Sequence, residues 1–357
     1  MTKSTGRRGL LIRLHRWLGL GAALFWLVQA VTGTLLSFHF ELDDALVSTQ
    51  TRPTDLDAIG HRLDQLGTAG PGAGVTWIWT TAGLPDRYVV AYRDEAGAAR
   101  RARIDGAGAV LRDRAAGEHS FLELMRAVHI DLLAGRVGHW ILAGSGMLLV
   151  TNLVFGLVVA WPRRGGWRQA LLPRGAGGRT ARLYGLHRAV GLWVAVPALF
   201  LAVTGTLLLF EHEMRHLLDV EDVALPPNPP AGTRPVGLAT AVRAGTSAIP
   251  GSRFVGTTLP STTDASYYMW VRAPGELYRG GYGRSLVVID ANDAGIRGTY
   301  PIHDAPPADI LVSALYPLHT GEAGGTPGRA LGLLTGIGLL VATIYGLQLW
   351  LRRRSRR

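Results

Sequence analysis

Apolar and polar positions alternate along this chain on the scale of whole segments. Four stretches contain no Asp, Glu, Lys or Arg, and they lie at 17–40, 137–162, 189–210 and 330–351. They are 24, 26, 22 and 22 residues long, and roughly 20 apolar residues cross a bilayer as an α-helix. A buried helix of a soluble protein explains one such stretch but not four. The pattern therefore predicts a mainly α membrane protein with four transmembrane helices.

A repeat relates the two halves of the chain. Residues 14–36 match residues 186–208 at 14 of 23 places when they are shifted by 172 positions. A shift of 190 positions superposes the second apolar stretch on the fourth and aligns His129 with His319. Each half therefore consists of a helix, a polar lobe and a second helix. We predict two parallel two-helix repeats, related by an axis along the membrane normal.

Basic residues flank the apolar stretches and predict how the chain is oriented. Segments 1–16, 162–188 and 352–357 hold 17 Lys and Arg residues and no Asp or Glu, which exceeds the net charge of +11. Short basic loops mark the cytoplasmic side of a membrane. Both termini are therefore predicted to be cytoplasmic, and the charge implies the lipid bilayer as a partner and not a nucleic acid.

The segments follow from these boundaries. They are 1–40 (cytoplasmic N-terminus and transmembrane helix 1), 41–135 (first external lobe), 136–162 (helix 2), 163–182 (basic cytoplasmic loop), 183–212 (helix 3), 213–328 (second external lobe) and 329–357 (helix 4 and basic tail). The lobes contain β-branched and aromatic runs that predict strands at 75–81, 87–93, 253–259, 267–272, 285–290 and 296–300. Each lobe is predicted to be a small α+β unit, and an amphipathic helix is predicted at 120–133.

The chain has no cysteine. Disulfides, iron–sulfur clusters and covalent haem attachment through a Cys-x-x-Cys-His motif are therefore excluded. Any metal has to be held by histidine, carboxylate or neutral groups.

Histidines are the candidate ligands, because ionisable residues within a membrane are costly and usually functional. His15 and His187 are equivalent in the repeat and lie at the inner ends of helices 1 and 3, whereas His129 and His319 are equivalent at the outer entrances to helices 2 and 4. Two symmetric pairs suggest two bis-imidazole sites, and a porphyrin with two axial imidazoles fits each of them.

Two further features fit a haem site, and each has a simpler explanation. Arg16 and Arg188 follow the inner histidines and could bind haem propionates in a bidentate manner; alternatively they only set the topology. Gly33 and Gly205 provide small surfaces between helices, either for haem clearance or for helix packing.

The other histidines are weaker candidates. His39, His139 and His212 lie near helix ends but have no histidine at the equivalent position. The remaining ones are expected to be polar residues of the lobes: His61, His119, His216 and His303. His212 and His216, with Glu211 and Glu213 nearby, could form a small outer metal site, although a solvated helix end is the favoured interpretation.

At its histidine motifs the chain resembles the PepSY-associated transmembrane family. The resemblance rests on Leu-His-Arg at 14–16 and 186–188, Thr-Gly-Thr at 32–34, Val-His at 128–129 and Leu-His-Thr-Gly at 318–321. It covers all four apolar stretches, and the lobes resemble PepSY domains loosely. The family includes bacterial inner-membrane reductases that bind two b-type haems and reduce ferric siderophores in the periplasm.

The resemblance implies the same function here. His15, His187, His129 and His319 would be the axial ligands of two non-covalent haems, and a cytoplasmic protein or a quinol would supply electrons. Two alternatives remain open. One is a haem-bearing electron carrier for a periplasmic partner protein, and the other is a non-enzymatic regulatory or assembly protein with PepSY-type lobes.

Overall fold

The computed structural model describes residues 6–67, 74–162, 165–172, 178–221, 223–230, 235–277 and 281–354. The chain divides into two compact units. We call them the helical unit (residues 1–37, 121–211 and 315–357) and the sheet unit (residues 38–120 and 212–314). Parts of the predicted basic segments, namely 1–5, 163–164, 173–177 and 355–357, lie outside the described residues.

The helices of the described residues are, in chain order, α1 (Arg7–Gly21), α2 (Ala23–Leu36), α3 (His39–Val47), α4 (Leu56–Gly67), α5 (Phe121–Asp131), α6 (Gly135–Ala160), α7 (Trp167–Leu171), α8 (Arg179–Leu208), α9 (Glu211–Leu217), α10 (Leu238–Ala248), α11 (Pro307–Thr320) and α12 (Gly325–Arg354). The strands are β1 (Gly74–Thr80), β2 (Arg87–Arg93), β3 (Ala99–Asp105), β4 (Val110–Ala115), β5 (Arg253–Thr258), β6 (Ser266–Arg272), β7 (Ser285–Asp290) and β8 (Ile296–Tyr300).

Three helices of the described residues are long and apolar enough to cross a membrane: α6, α8 and the helix that ends with α12. Helices α1 and α2 pass the same test only as a pair, which is bent by 67°. The described chain therefore contains three candidate spans, or four if the bent pair is one span. The coarse prediction of a helical membrane protein with a separate sheet domain is confirmed.

The break between α1 and α2 was not predicted, because the apolar stretch 17–40 is continuous in hydropathy. Helix α1 ends at Gly21 and α2 begins at Ala23. Glycine costs about 1 kcal/mol relative to alanine inside a helix, and sharp bends commonly occur at glycines. The shift of 172 positions aligns Gly21 with Trp193, and α8 continues through Trp193 without a break.

A short helix precedes α6 and α12 in the same way. The predicted amphipathic helix 120–133 is confirmed as α5, and α11 is its counterpart in the second half, which the sequence pattern did not predict. A Cβ on Gly138 would collide with the carbonyl of Asp131, and one on Gly328 would collide with the carbonyl of Gly321. These glycines let the short helix turn back closely onto the long one.

The described residues of the sheet unit form one antiparallel sheet of eight strands in the order β4-β3-β2-β1-β5-β6-β7-β8. Each predicted lobe supplies four consecutive strands, and β1 pairs with β5 between the two groups. The lobes therefore do not form two separate sheets. Pairing of β1 with β5 satisfies backbone groups that would otherwise be exposed along two sheet edges.

Helices α4 and α10 cover one face of this sheet. Ile59 of α4 and Val242 of α10 pack with Ile78, Val90 and Met269 of the strands in one buried apolar cluster. The period-2 pattern of the strands produces this face, because alternate side chains point to opposite sides of a sheet.

Candidate functional site

The helical unit brings the four predicted histidines together as two pairs. The ring centroids of His15 and His187 are 6.1 Å apart, with 48° between the ring planes. Those of His129 and His319 are 6.4 Å apart, with 29° between the planes. Each pair joins equivalent positions of the two halves, as the repeat predicted.

The two pairs lie at opposite ends of α8. His187 is in the first part of this helix, and Gly205 in its last turn lies under the ring of His319. Eighteen residues of continuous helix separate these two positions, which corresponds to about 27 Å along the helix axis. The helical unit therefore contains two separate sites and not one cluster.

Glycines make room for every one of these rings. A Cβ added to each glycine would lie close to the Cε1 atom of one histidine, at 2.9 Å for Gly33 and His129, 2.5 Å for Gly205 and His319, 2.9 Å for Gly156 and His15, and 3.3 Å for Gly346 and His187. Contacts below 3.0 Å require a neighbour to shift. Gly33 and Gly205 therefore make room for a histidine ring.

Backbone carbonyls orient three of the rings. The Nδ1 atom of His15 lies 3.1 Å from the carbonyl oxygen of Asn152, and that of His187 lies 2.8 Å from the carbonyl oxygen of Ala342. His319 Nδ1 lies 2.9 Å from the carbonyl oxygen of Leu201. A carbonyl can only accept, so Nδ1 carries the proton in each ring and Nε2 is the nitrogen with a lone pair.

His129 is oriented by a hydroxyl. Its Nδ1 atom lies 2.9 Å from Oγ1 of Thr32, and that hydroxyl donates its own proton to the carbonyl of Val28 at 2.8 Å. Thr32 therefore accepts from His129. The equivalent Thr204 lies 3.4 Å from Nδ1 of His319, so the two halves share this arrangement.

These hydrogen bonds match the outer shell of a metal-bound imidazole. A ligating histidine commonly donates its second ring N–H to a carbonyl or carboxylate, which fixes its tautomer and its orientation. Among the described residues, no hydrogen bond involves Nε2 of any of the four rings. Each pair can therefore offer two imidazole lone pairs to one ligand.

The spacing of the rings also fits two axial ligands on one metal. An imidazole nitrogen binds a first-row metal at about 2.0–2.1 Å, and the ring centroid lies roughly 1.1 Å beyond that nitrogen. Two rings on opposite sides of one metal would therefore have centroids about 6.3 Å apart. The observed 6.1 and 6.4 Å lie at this value. The residues present therefore fit the bis-histidine ligation that haem accepts.

The two predicted propionate ligands are placed differently. The Arg188 side chain donates from Nε to the carbonyl of Ala160 at 2.9 Å, at the end of α6. Arg16 is exposed, and its guanidinium lies 5.4 Å from the ring centroid of the neighbouring Trp17. Arg188 thus donates a hydrogen bond to the carbonyl at the C-terminal end of α6. The two arginines are equivalent in the repeat but have different environments.

The weaker candidates lie away from the pairs. His139 is exposed in the first turn of α6. His39 packs on the neighbouring Phe40 ring in the sheet unit, where His212 is exposed on α9. Among the described residues, no group of three or more His, Cys, Asp or Glu side chains is arranged to hold a metal ion. A haem needs only two axial ligands from the protein, so it does not require such a group.

Sequence reasoning missed the residues that orient the rings. Thr32 and Thr204 belong to the repeated Thr-Gly-Thr motif, so the motif itself was a usable signal. The carbonyls of Asn152, Ala342 and Leu201 carry no side-chain signal, and only the tertiary structure identifies them.

A bent helix pair, three long apolar helices and an antiparallel sheet unit define a helical membrane protein with a separate sheet domain. Within that class, the chain belongs to the PepSY-associated TM region family, whose model matches residues 12–353. No curated protein matches the chain.

Proposed function

We propose that this protein is a di-haem b reductase of a bacterial inner membrane that reduces a ferric siderophore in the periplasm. The observation that carries the proposal is the presence of two symmetric histidine pairs with centroid separations of 6.1 and 6.4 Å. In this proposal α1 and α2 together form the first of four transmembrane helices. The four helices then form two parallel two-helix repeats.

In this proposal His15 and His187 hold one b-type haem, and His129 and His319 hold the other. When bound, a haem supplies a one-electron couple whose potential depends on its axial ligands, their hydrogen bonds and its burial. The chain would contribute to that potential through the Nδ1–H donors. An N–H that donates to a carbonyl makes the other ring nitrogen a stronger ligand.

The orientation of the proposal comes from the basic segments. Cytoplasmic termini place the His15–His187 pair on the cytoplasmic side and the His129–His319 pair on the periplasmic side. A cytoplasmic protein or a quinol is the donor and loses one electron for each ferric ion that is reduced. Ferrous iron is held less tightly than ferric iron by hard oxygen ligands, so reduction releases the metal from the siderophore.

The first test is a visible spectrum and a haem-to-protein ratio for the detergent-purified chain. We expect a Soret band, low-spin spectra and two haems per chain. His15→Ala and His187→Ala should each remove one haem, and His129→Ala and His319→Ala should each remove the other. His139→Ala is the matched control, because His139 is exposed and unpaired in the repeat, and it should retain both haems.

The second test is anaerobic mixing of the dithionite-reduced protein with a ferric siderophore. We expect the haems to reoxidise and one ferrous ion to form for each electron lost. A chain that binds haem but is not reoxidised would be a carrier for a partner protein. A chain without a Soret band would instead be a regulatory or assembly protein, and both results contradict the proposal.

A further inference from the structure

Trp26 of α2 is a buried tryptophan whose ring reaches across to α6. Its side chain is 8% exposed, and its indole N–H donates to Oγ of Ser145 at 3.1 Å. The indole N–H is a donor only, and a buried tryptophan usually places it against an acceptor. The hydrogen bond therefore fixes the ring in the space between α2 and α6.

The position of Trp26 along α2 lies between the levels of the two histidine pairs. Gly33, which makes room for the ring of His129, is seven residues later in the same helix. Seven residues correspond to about two turns and about 10 Å along the axis, so Trp26 and Gly33 share one face of α2. The indole therefore leaves α2 on the face that borders the His129–His319 pair.

Ser145 has a similar relation to the other pair. Asn152 is seven residues later in α6, and its carbonyl accepts the hydrogen bond of His15. Gly156, one turn further, makes room for the His15 ring, and it lies about 16 Å from Ser145 along the axis. The hydrogen bond between Trp26 and Ser145 thus connects a helix face that borders one pair with a helix face that borders the other.

The repeat shows that the indole belongs to only one half of the chain. A shift of 172 positions aligns Trp26 with Ala198, and a shift of 190 positions aligns Ser145 with Thr335. Ala198 and Thr335 are each 1% exposed, and α8 packs closely along α12. Among the described residues, α2 packs much less closely on α6. Small residues therefore suffice for packing at the equivalent interface, and packing does not require an aromatic ring at position 26.

An aromatic ring at this level provides a route for an electron. The two pairs are separated by about 27 Å along α8. Electron tunnelling weakens steeply with distance, and it weakens less through a π-system and hydrogen bonds than across gaps between aliphatic side chains. The indole, its bond to Ser145 and the α6 backbone down to the Asn152 carbonyl form such a connected route to His15.

We propose that Trp26 is the bridge for electron transfer between the two histidine sites. The inference rests on the proposed function, because it requires a haem at each pair. One electron leaves the His15–His187 site and one electron arrives at the His129–His319 site, so the first is oxidised and the second is reduced by the same amount. The indole is neither oxidised nor deprotonated, since its N–H proton stays in the hydrogen bond.

The test measures electron transfer within the detergent-purified full chain after a flash. A photoreducing ruthenium complex is attached to Arg13→Cys, an exposed position of α1 two residues before His15. The label has a unique site because the chain has no cysteine. The flash reduces the nearer haem, and the absorbance phase that follows is assigned by His129→Ala, which keeps one haem and should lack that phase. Haem content, spectra and both midpoint potentials are measured for every variant.

We expect transfer to be fastest in the chain with Trp26, slower in Trp26→Phe and slowest, by severalfold, in Trp26→Leu. Trp26→Phe keeps a ring and loses the hydrogen bond, whereas Trp26→Leu loses both. Ser145→Ala keeps the indole and should slow transfer less than Trp26→Leu does. Trp193→Leu is the matched control and should leave the rate unchanged, because Trp193 is 62% exposed on α8, where its N–H donates to the Leu171 carbonyl at 3.3 Å.

The midpoint potentials separate a bridge from a merely structural role. They should be the same in all these variants, whereas slower transfer accompanied by shifted potentials in both Trp26 variants would assign the effect to the haem sites and overturn the bridge. Equal rates in Trp26→Leu and in the unchanged chain, each with two haems, would overturn the bridge and leave the reductase proposal intact. A chain that binds no haem would overturn both.

A second readout needs no haem. The ultraviolet resonance Raman spectrum of the haem-free chain reports the hydrogen bonds of indole N–H groups, and subtraction of the Trp26→Phe spectrum isolates the signal of Trp26. Ser145→Ala should shift this N–H signal to that of an unbonded indole. An unshifted signal would show that Ser145 does not hold the ring against α6, and the bridge would be wrong.

Discussion

Replacing Gly205 by alanine should disturb the His319 site more than any comparable change in α8. A Cβ at position 205 would lie 2.5 Å from Cε1 of His319. Carbon atoms in ordinary contact are about 3.5–4.0 Å apart, so the ring has to retreat by roughly 1 Å. The bond from His319 Nδ1 to the carbonyl of Leu201 is 2.9 Å long, and such a retreat would break it.

The expected magnitude follows from three contributions. Overpacking a tight site costs about 1–3 kcal/mol, and the lost hydrogen bond costs about 0.5–1.5 kcal/mol. Alanine favours the helix over glycine by about 1 kcal/mol, which offsets part of this cost. The net loss in the free energy of unfolding should be about 2 kcal/mol.

The matched control is Gly191→Ala in the same helix. Among the described residues, nothing lies within 4 Å of a Cβ built at Gly191. This variant should gain about 1 kcal/mol from helix propensity, so the two variants should differ by about 3 kcal/mol. Gly346→Ala, with a contact of 3.3 Å to His187, should fall between them.

Denaturant titration in mixed micelles measures the unfolding free energies. The visible spectrum of the proposed haems adds an independent readout, in which Gly205→Ala should lose low-spin character at one site only. If Gly205→Ala and Gly191→Ala were equally stable and had the same spectrum, the glycine would not be needed for the position of His319.

Three further predictions concern other parts of the molecule. Burial raises the pKa of Asp44 despite its bond to Thr81. The stability that this carboxyl contributes is therefore present below the unfolded pKa of 3.8 and is lost as the pH rises through the higher folded pKa. Asp44→Asn should remove this pH-dependent loss of stability when unfolding is measured at several pH values. Trp26 donates to Ser145 at 3.1 Å, and a double-mutant cycle with Trp26→Phe and Ser145→Ala should give a coupling of about 0.6 kcal/mol; a coupling near zero would contradict the bond. Arg329 is 6% exposed and donates to the Ser37 carbonyl, so Arg329→Gln should lower the apparent melting temperature by several degrees, and an unchanged melting curve would show that this contact is dispensable.

The histidine pairs were predictable because the repeat is visible in the sequence. Shifts of 172 and 190 positions made His15 equivalent to His187, and His129 equivalent to His319. The structure brings the two histidines of each pair together. His139 had no counterpart, and the structure leaves it exposed.

The residues around the pairs were less predictable. Gly156 and Gly346 align in the repeat, but nothing in the sequence shows that each faces the ring of a histidine on another helix. Such contacts depend on the rotation and height of each helix in the bundle, and hydropathy carries little information about either.

The order of amino acids alone specified the apolar stretches, most of the strands, the sequence repeat and the four paired histidines, because hydropathy, residue periodicity and self-similarity are properties of the chain order. The tertiary structure was needed to show that the first apolar stretch bends at Ala22, that two lobes share one sheet and that carbonyls orient the histidines. These features arise from contacts between residues distant in the chain. A backbone carbonyl is the same in every residue, so the sequence does not show which carbonyl makes such a contact.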